Sequence, residues 1–365
     1  MAEIRVQNVQ KKFGDFVAVK DVTFTIPDGS FFCLLGASGC GKTTTLRMIA
    51  GLELPTSGSI FLGGEDVAFK RASERDIAFV FQLFALYPHM NVRQNIAFPL
   101  LSQGVAKAEI KQRVEETARL LRIDHILDKS VSGLAGGDRQ RVALGRAIVR
   151  RPLAFLMDEP LGTLDAEFRD LMCDELVHLH RRINATTVYV THDQLEAMTM
   201  ANYIAIMNRG VIEQLGTPQA IYDRPASMYV AEFVGSPAMN LIHLESSLAK
   251  GAKSIDVSGA IVAIPETREA SLDGQIVLGA RPEHISFDDS SKFRGQVQSV
   301  EYMGTTQIVT VDVAQGKVKA RLPSTTHATI GEQVGLSFMG PRLSIFDKAT
   351  GRAINTALYE SAHHG

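Results

Sequence analysis

The chain has 365 residues, 45% of them hydrophobic and 21% charged, with a formal net charge of −2; this predicts about two domains with a large apolar core and excludes disordered and fibrous classes. The near-neutral balance offers no electrostatic attraction to nucleic acid or an anionic membrane, so neither is expected as a non-specific partner. Apolar runs such as Phe31–Leu35 fall far short of the roughly 20 residues of a spanning helix, the opening Met1-Ala2-Glu3-Ile4-Arg5 lacks the pattern of a signal peptide, and the cysteines Cys33, Cys40 and Cys173 lack metal-ligand spacing. A reducing, cytoplasmic setting is expected.

In chain order, residues 1–235 alternate strands and helices. Ile4–Val9 and Val22–Ile26 alternate apolar and polar residues at period two, as half-buried strands do. Phe31–Leu35, Ile77–Phe81, Leu153–Met157, Thr187–Val190 and Ile204–Met207 are short apolar runs suited to buried strands of a mostly parallel sheet. Ile110, Val114, Ala118 and Leu121 share one helical face, as do Phe168, Met172, Leu176, Leu179 and Ile183. Together these predict an α/β layer architecture. From Leu241 to Phe346 short β patterns recur, at Gln275–Leu278, Gly295–Val300, Gln307–Val313 and Lys317–Leu322, with no long amphipathic helix between them. Residues 236–365 are therefore expected to form an all-β module, a small barrel, with Gly235-Ser236-Pro237 as the hinge. The last five residues are expected to be a frayed end.

Three stretches carry chemistry. Gly36-Ala37-Ser38-Gly39-Cys40-Gly41-Lys42-Thr43-Thr44 follows the strand Phe31–Leu35 and opens the helical stretch Thr43–Ala50, matching G-x-x-x-x-G-K-[ST]. Its glycines let backbone N–H groups converge on phosphates at the positive end of a helix. Lys42 supplies a point charge and Thr43 a hydroxyl ligand for Mg²⁺. The run Leu153–Met157 ends in Asp158-Glu159; Asp158 at the strand end would hold Mg²⁺ and Glu159 polarise the attacking water, although a solvated turn has the same composition. His192, after Thr187–Val190, is a candidate for holding the γ-phosphate and water, or a structural strand-end histidine.

Taken together, the phosphate loop, Gln82, the stretch Gly136-Gly137-Asp138-Arg139-Gln140-Arg141, Asp158-Glu159, Asp165 and His192 resemble, in order, the motifs of ABC transporter ATPases. The tail around Gly279-Ala280-Arg281-Pro282-Glu283-His284, with Phe79-Val80-Phe81-Gln82 and Ala85-Leu86-Tyr87-Pro88-His89-Met90, is similar to the maltose and glycerol-3-phosphate importer subgroup. The resemblance implies a P-loop NTPase (ABC-type) α/β domain over residues 1–235, followed by an OB-like TOBE/MOP-type regulatory domain over 236–365. It also implies ATP and Mg²⁺ as ligands, Phe13 stacking on adenine, Gln82 joining Thr43 and Asp158 in the Mg²⁺ shell, and Asp165 in the nucleotide site. Phe13 and Tyr87 have ordinary core packing as their alternative. Residues 84–90 would form part of a groove for a helix of a membrane subunit.

Two such chains would sandwich two ATP molecules, each held between the phosphate loop of one chain and the Ala135-Gly136-Gly137 turn of the other, in an isologous arrangement. The implied partners are integral membrane permease subunits, a second ATPase chain and, indirectly, a periplasmic solute-binding protein; the implied place is the cytoplasmic face of the bacterial inner membrane. This chain departs from the family's L-S-G-G-Q signature: Leu134-Ala135-Gly136-Gly137-Asp138 lacks the serine hydroxyl and adds a carboxylate that Arg139 or Arg141 would have to offset. A homodimer in which the glycines suffice and a heterodimer with an intact partner signature both remain open. The expected function is the energy-coupling ATPase of an importer for a carbohydrate or polyol. The alternatives are an importer ATPase for another solute such as a polyamine, or a regulatory module.

Overall fold

The computed structural model describes residues 2–81, 85–162, 166–271 and 274–360. They pack as two compact units, Met1–Pro218 and Gln219–Gly365. In the first, β1 (Ile4–Phe13) and β2 (Phe16–Ile26) form a hairpin whose tip pairs Phe13 with Phe16. β3 (Phe31–Gly36) then leads into α1 (Lys42–Ala50). β4 (Ser57–Leu62) and β5 (Glu65–Asp66) return to the hairpin and complete an antiparallel sheet in the order β2-β1-β4-β5. β6 (Ile77–Val80) precedes three mutually packed helices, α2 (Val92–Ser102), α3 (Lys107–Leu120) and α4 (Gly136–Ile148). There follow β7 (Ala154–Asp158), α5 (Ala166–Ile183), β8 (Thr186–Thr191), α6 (Gln194–Met200), β9 (Tyr203–Asn208) and β10 (Val211–Gly216).

The second sheet of this unit runs β10-β9-β3-β8-β7-β6, parallel throughout except for β10. Every residue of β3, β7 and β8 is buried. Covered on both faces, such strands read as continuous apolar runs rather than as alternation, which is how the sequence presents them. One apolar core joins the two sheets across α1, with Phe24 of β2 stacked on Phe32 of β3 at 5.4 Å between ring centroids. Arg75 is fully buried beneath this layer and donates to the Met48 and Ile49 carbonyls at the end of α1 (2.7 and 2.6 Å) and to those of Ala68 and Lys70. It thereby adds charged donors to carbonyls at the C-terminal end of the helix, of which Met48 also accepts from the Gly51 N–H. In the helical layer Gly145 of α4 lies under Ile96 of α2 and Leu121; a Cβ there would come within 3.1–3.2 Å of their side chains, so glycine sets the close approach of these helices.

The second unit begins with α7 (Pro218–Asp223) and α8 (Met228–Phe233). β11 (Asn240–Leu244), the hairpin β12 (Ser254–Val257) and β13 (Ala260–Ala263), β14 (Ile276–Ala280), β15 (Ile285–Phe287), β16 (Arg294–Tyr302), β17 (Thr306–Val313), β18 (Gly316–Pro323), β19 (Gln333–Phe338) and β20 (Ser344–Asp347) follow. They pair antiparallel as β11-β14-β20, β12-β13 and β15-β19-β16-β17-β18 around a shared apolar core. Among the described residues its helices are at most six residues long. The second compact unit takes in α8. The reason is hydrogen bonding within the second unit: the Met228 N–H donates to the Gly351 carbonyl, and the buried Arg281 guanidinium donates to the carbonyls of Tyr222, Ala231 and Val234.

Candidate functional site

In a parallel sheet, ligand sites form at the carboxyl ends of the strands, and β3, β8 and β7 are neighbours here. β3 ends at Gly36, where a Cβ would sit 2.3 Å from the Met207 carbonyl oxygen and 2.7 Å from Cys40 Sγ; only glycine fits this close approach. Ala37, Ser38 and Gly39 form an exposed rim, and Cys40 turns inward. Gly41 caps α1 at φ 109°, with the Ala18 carbonyl of β2 against it. Lys42 is only 4% exposed and donates to the Gly36 and Ala37 carbonyls at 2.8 and 2.9 Å, placing its ammonium across the loop. Thr43 and Thr44 are half-buried in the first turn of α1.

The end of β7 meets that turn. Thr43 Oγ1 donates to Asp158 Oδ1 at 2.9 Å. Burial pushes the Asp158 carboxyl above its ordinary range; the Thr43 hydrogen bond opposes this, as do the nearby charges of Arg47 and Lys42, while Glu159 adds to the rise. Glu159 adopts φ 44°, rare for a side-chain-bearing residue, and its N–H donates to the Val190 carbonyl of β8 at 3.0 Å. The bend aims its carboxylate at His192, with Oε2 3.2 Å from Nδ1. His192 keeps 60% of its side chain exposed, so its ring faces solvent rather than a core.

Three buried residues form a hydrogen-bond network beside this histidine, and the sequence reading gave none of them a role. Thr191 Oγ1 donates to Glu196 Oε2 at 2.7 Å and accepts from the Asp193 N–H at 2.9 Å; Tyr189 Oη donates to the same carboxylate oxygen at 2.8 Å. Asp193 caps α6 by accepting from the Leu195 and Glu196 N–H groups. The spacing of Asp193 and Glu196 is that of a capping pair, a signal that could have drawn attention to Glu196.

Ala135 precedes α4 as its cap and contributes no side-chain hydrogen bond, while Gly136 and Gly137 form the first turn. This turn opens α4 in the helical layer, and none of the hydrogen bonds described for Lys42, Thr43, Asp158, Glu159 and His192 involves it. Asp138 is paired with Arg141 at 3.4 Å, and Arg141 also makes two 3.0 Å bonds to Glu175 of α5. The offsetting cation is thus Arg141. Arg139 instead donates to the Leu134 carbonyl. Phe13, at the hairpin tip, is 46% exposed with Lys11 Nζ 4.8 Å from its ring centre, an open aromatic face and not core packing.

Tyr87 packs on Phe98 at 4.6 Å, beneath the Arg146 guanidinium. Both border a cavity of about 300 Å³ with Phe79, Phe81 and Ala85. Phe81 lies past the end of β6 and is 40% exposed. Gln82, Phe84 and Asp165 lie outside the described residues.

Residues 19–162 match the family model for ABC transporter, 235–285 that for MalK OB fold domain, and 278–346 that for TOBE domain. The chain is 44% identical to the trehalose import ATP-binding protein SugC of Mycobacterium tuberculosis, over 96% of this chain and 98% of that protein. It belongs to the ABC transporter ATP-binding family. Other members include the sn-glycerol-3-phosphate import ATP-binding protein UgpC of Cereibacter sphaeroides, 43% identical over 97% of this chain and all of that protein. The solved structure of cbiO1 from Clostridium perfringens, part of the ABC transporter complex cbiONQ, matches with a TM-score of 0.56 and 25% identity, covering 60% of this chain and 89% of that one.

As an ABC transporter ATPase the chain binds nucleotide. A hydroxyl and a carboxylate 2.9 Å apart, both hard oxygen donors, suit Mg²⁺. Among the described residues no group of three or more His, Cys, Asp or Glu is placed to hold a metal, so Thr43 and Asp158 would be two ligands of a shell shared with nucleotide phosphate oxygens, water or other side chains. No helix among the described residues is long and apolar enough to cross a membrane.

Proposed function

We propose that this chain is the ATP-hydrolysing, energy-coupling subunit of an importer for a carbohydrate or polyol, acting on ATP with Mg²⁺ at a site shared between two ATPase chains. The solute class follows the relatives, whose names specify trehalose and sn-glycerol-3-phosphate import. The observation that carries the chemistry is the pairing of two contacts at adjoining strand ends: Thr43 with Asp158 at 2.9 Å, and Glu159 with His192 at 3.2 Å.

Each residue has one task in this reading. Lys42 exchanges its loop carbonyls for β- and γ-phosphate oxygens, and the glycine loop's N–H groups cradle the same anion. Glu159 orients the attacking water and takes up its proton; His192, bound to Glu159, fixes that carboxylate and reaches the γ-phosphate. Mg²⁺ held by Thr43 and Asp158 would supply charge neutralisation at the phosphoryl oxygens. Phe13 stacks on the adenine ring. Gln82 and Asp165 complete the metal shell and nucleotide site, and the Ala135-Gly136-Gly137 turn meets nucleotide held by the other chain.

The chain works with membrane permease subunits, and the Phe81–Tyr87–Phe98 cavity is the surface offered to them. Through them it lies at the cytoplasmic face of the membrane and acts indirectly with a solute-binding protein. In domain terms, residues 1–235 carry the nucleotide chemistry and 236–365 regulation. Light scattering of Glu159→Gln protein tests the two-chain reading: ATP should drive a stable dimer, with turnover confined to the unsubstituted chain. An ATP-indifferent monomer lacking turnover would count against it.

A second reading rests on the cap of α4. Ala135 provides no hydroxyl, so a heterodimer whose partner supplies a serine would have one strong and one weak site. Turnover of an Ala135→Ser, Asp138→Gln chain decides: a gain supports the impaired turn, and no gain supports a working homodimer.

A further inference from the structure

We propose that Arg141 is a positioning residue for the nucleotide met by the opening turn of α4, holding the Asp138 carboxylate off the Gly136–Gly137 N–H groups. This rests on the two-chain site proposed above. Asp138 lies in the first turn of α4, three residues beyond the cap Ala135. A carboxylate there faces the same positive helix end that an incoming phosphate would use. Left unpaired, it would both occupy that field and repel the phosphate.

The surrounding geometry deals with the carboxylate. Arg141 lies one turn further along α4, its Nη1 3.4 Å from Asp138 Oδ1. Two bonds from Nε and Nη2 to Glu175 of α5, 3.0 Å each, fix the guanidinium plane. A bidentate fork cannot rotate freely, so the remaining edge stays turned toward Asp138, drawing it along the helix and away from the glycines. The side chains of Arg141, Asp138 and Glu175 are 23%, 30% and 38% exposed, so bulk solvent screens them only in part. Arg139 is turned elsewhere, its Nε donating to the Leu134 carbonyl.

The test uses the full chain carrying Glu159→Gln and reads, by light scattering, the ATP concentration that gives half-maximal dimer. Adding Arg141→Gln should raise it about tenfold, the scale of one lost charge-assisted interaction. Removing the offending charge as well, with Asp138→Asn, should restore it to within about twofold of the parent. A purely structural Arg141, acting only through Glu175 on α4–α5 packing, would leave the doubly substituted chain as impaired as the single variant, and that result overturns the proposal. Thermal melts accompany each variant; if Arg141→Gln does not fold, Arg141→Lys with and without Asp138→Asn is compared in the same way, and the deficit must again vanish with the carboxylate. A parent chain that never dimerises with ATP overturns the homodimeric two-chain site and this inference with it, whereas a dimerising parent with failed rescue overturns this inference alone.

Discussion

Glu159 Oε2 lies 3.2 Å from His192 Nδ1, a contact made possible by the left-handed backbone of Glu159 at the end of β7. The pair spans the ends of two adjacent parallel strands, so carboxylate and imidazole meet without either belonging to a flexible loop. Replacing Glu159 by Gln should lower ATP turnover by about a hundredfold or more, as expected for loss of a positioned base. His192→Ala should cost roughly tenfold to a hundredfold while nucleotide affinity changes little. Steady-state turnover beside equilibrium binding of a fluorescent nucleotide measures both.

Asp158 has the opposite problem, a carboxylate that burial disfavours. Its folded pKa is raised, so the folded state holds this proton more tightly than the unfolded chain does. Its stability contribution is therefore fully present below the unfolded value and is lost as pH rises through the folded one. Asp158→Asn, whose amide oxygen can still accept from Thr43, should remove that pH dependence and raise neutral-pH stability by about 1 kcal/mol while abolishing Mg²⁺-dependent turnover. Melts between about pH 3 and about pH 8, which bracket the ordinary carboxylate range, check this; an unchanged slope would count against it.

Glu196 accepts from both Tyr189 and Thr191 in the core. Glu196→Leu leaves two buried hydroxyls without that acceptor, and a loss of about 2–4 kcal/mol follows from the cost of orphaned polar groups. Because Thr191 also receives the Asp193 N–H, turnover should fall along with stability. Denaturant melts beside turnover read both.

Gln140 is completely buried in α4, and among the described residues neither of its side-chain amide atoms has a hydrogen-bond partner. Gln140→Met keeps the volume and removes the desolvated amide, so the isolated chain should gain about 1 kcal/mol. A lower melting temperature would contradict this.

In the second unit, Arg281 is 1% exposed and donates to three backbone carbonyls, while its guanidinium lies 4.1 Å from the Tyr222 ring centre. Arg281→Met should destabilise this unit by about 3 kcal/mol, a breakage of a buried network. Limited proteolysis should show cleavage near α7 and α8 first.

The strands of the first unit were legible because burial on both faces writes a parallel strand as an apolar run, and the phosphate loop because its glycines answer to backbone geometry. Asp158, Glu159 and His192 were legible because each ends such a run. The sequence could not show what long-range pairing decides. Glu196, Arg75 and Arg281 read as surface charges until the fold buries them beside carbonyls and hydroxyls. The packing of α8 within the second compact unit was hidden for the same reason, since the Arg281 guanidinium holds it there.

The side-by-side order of β3, β8 and β7 has a metric consequence. Neighbouring strands stand about 4.8 Å apart, so the interstrand repeat acts as a fixed gauge between the loop after Gly36, the histidine after Thr191 and the carboxylates at Asp158 and Glu159. Polar groups at those ends can be exchanged without altering their pitch, whereas a change of volume at Leu34, Val188 or Leu156, all fully buried behind them, would shift the rulings themselves. The tolerance of this ATPase to error is therefore set in aliphatic residues that never meet its substrate.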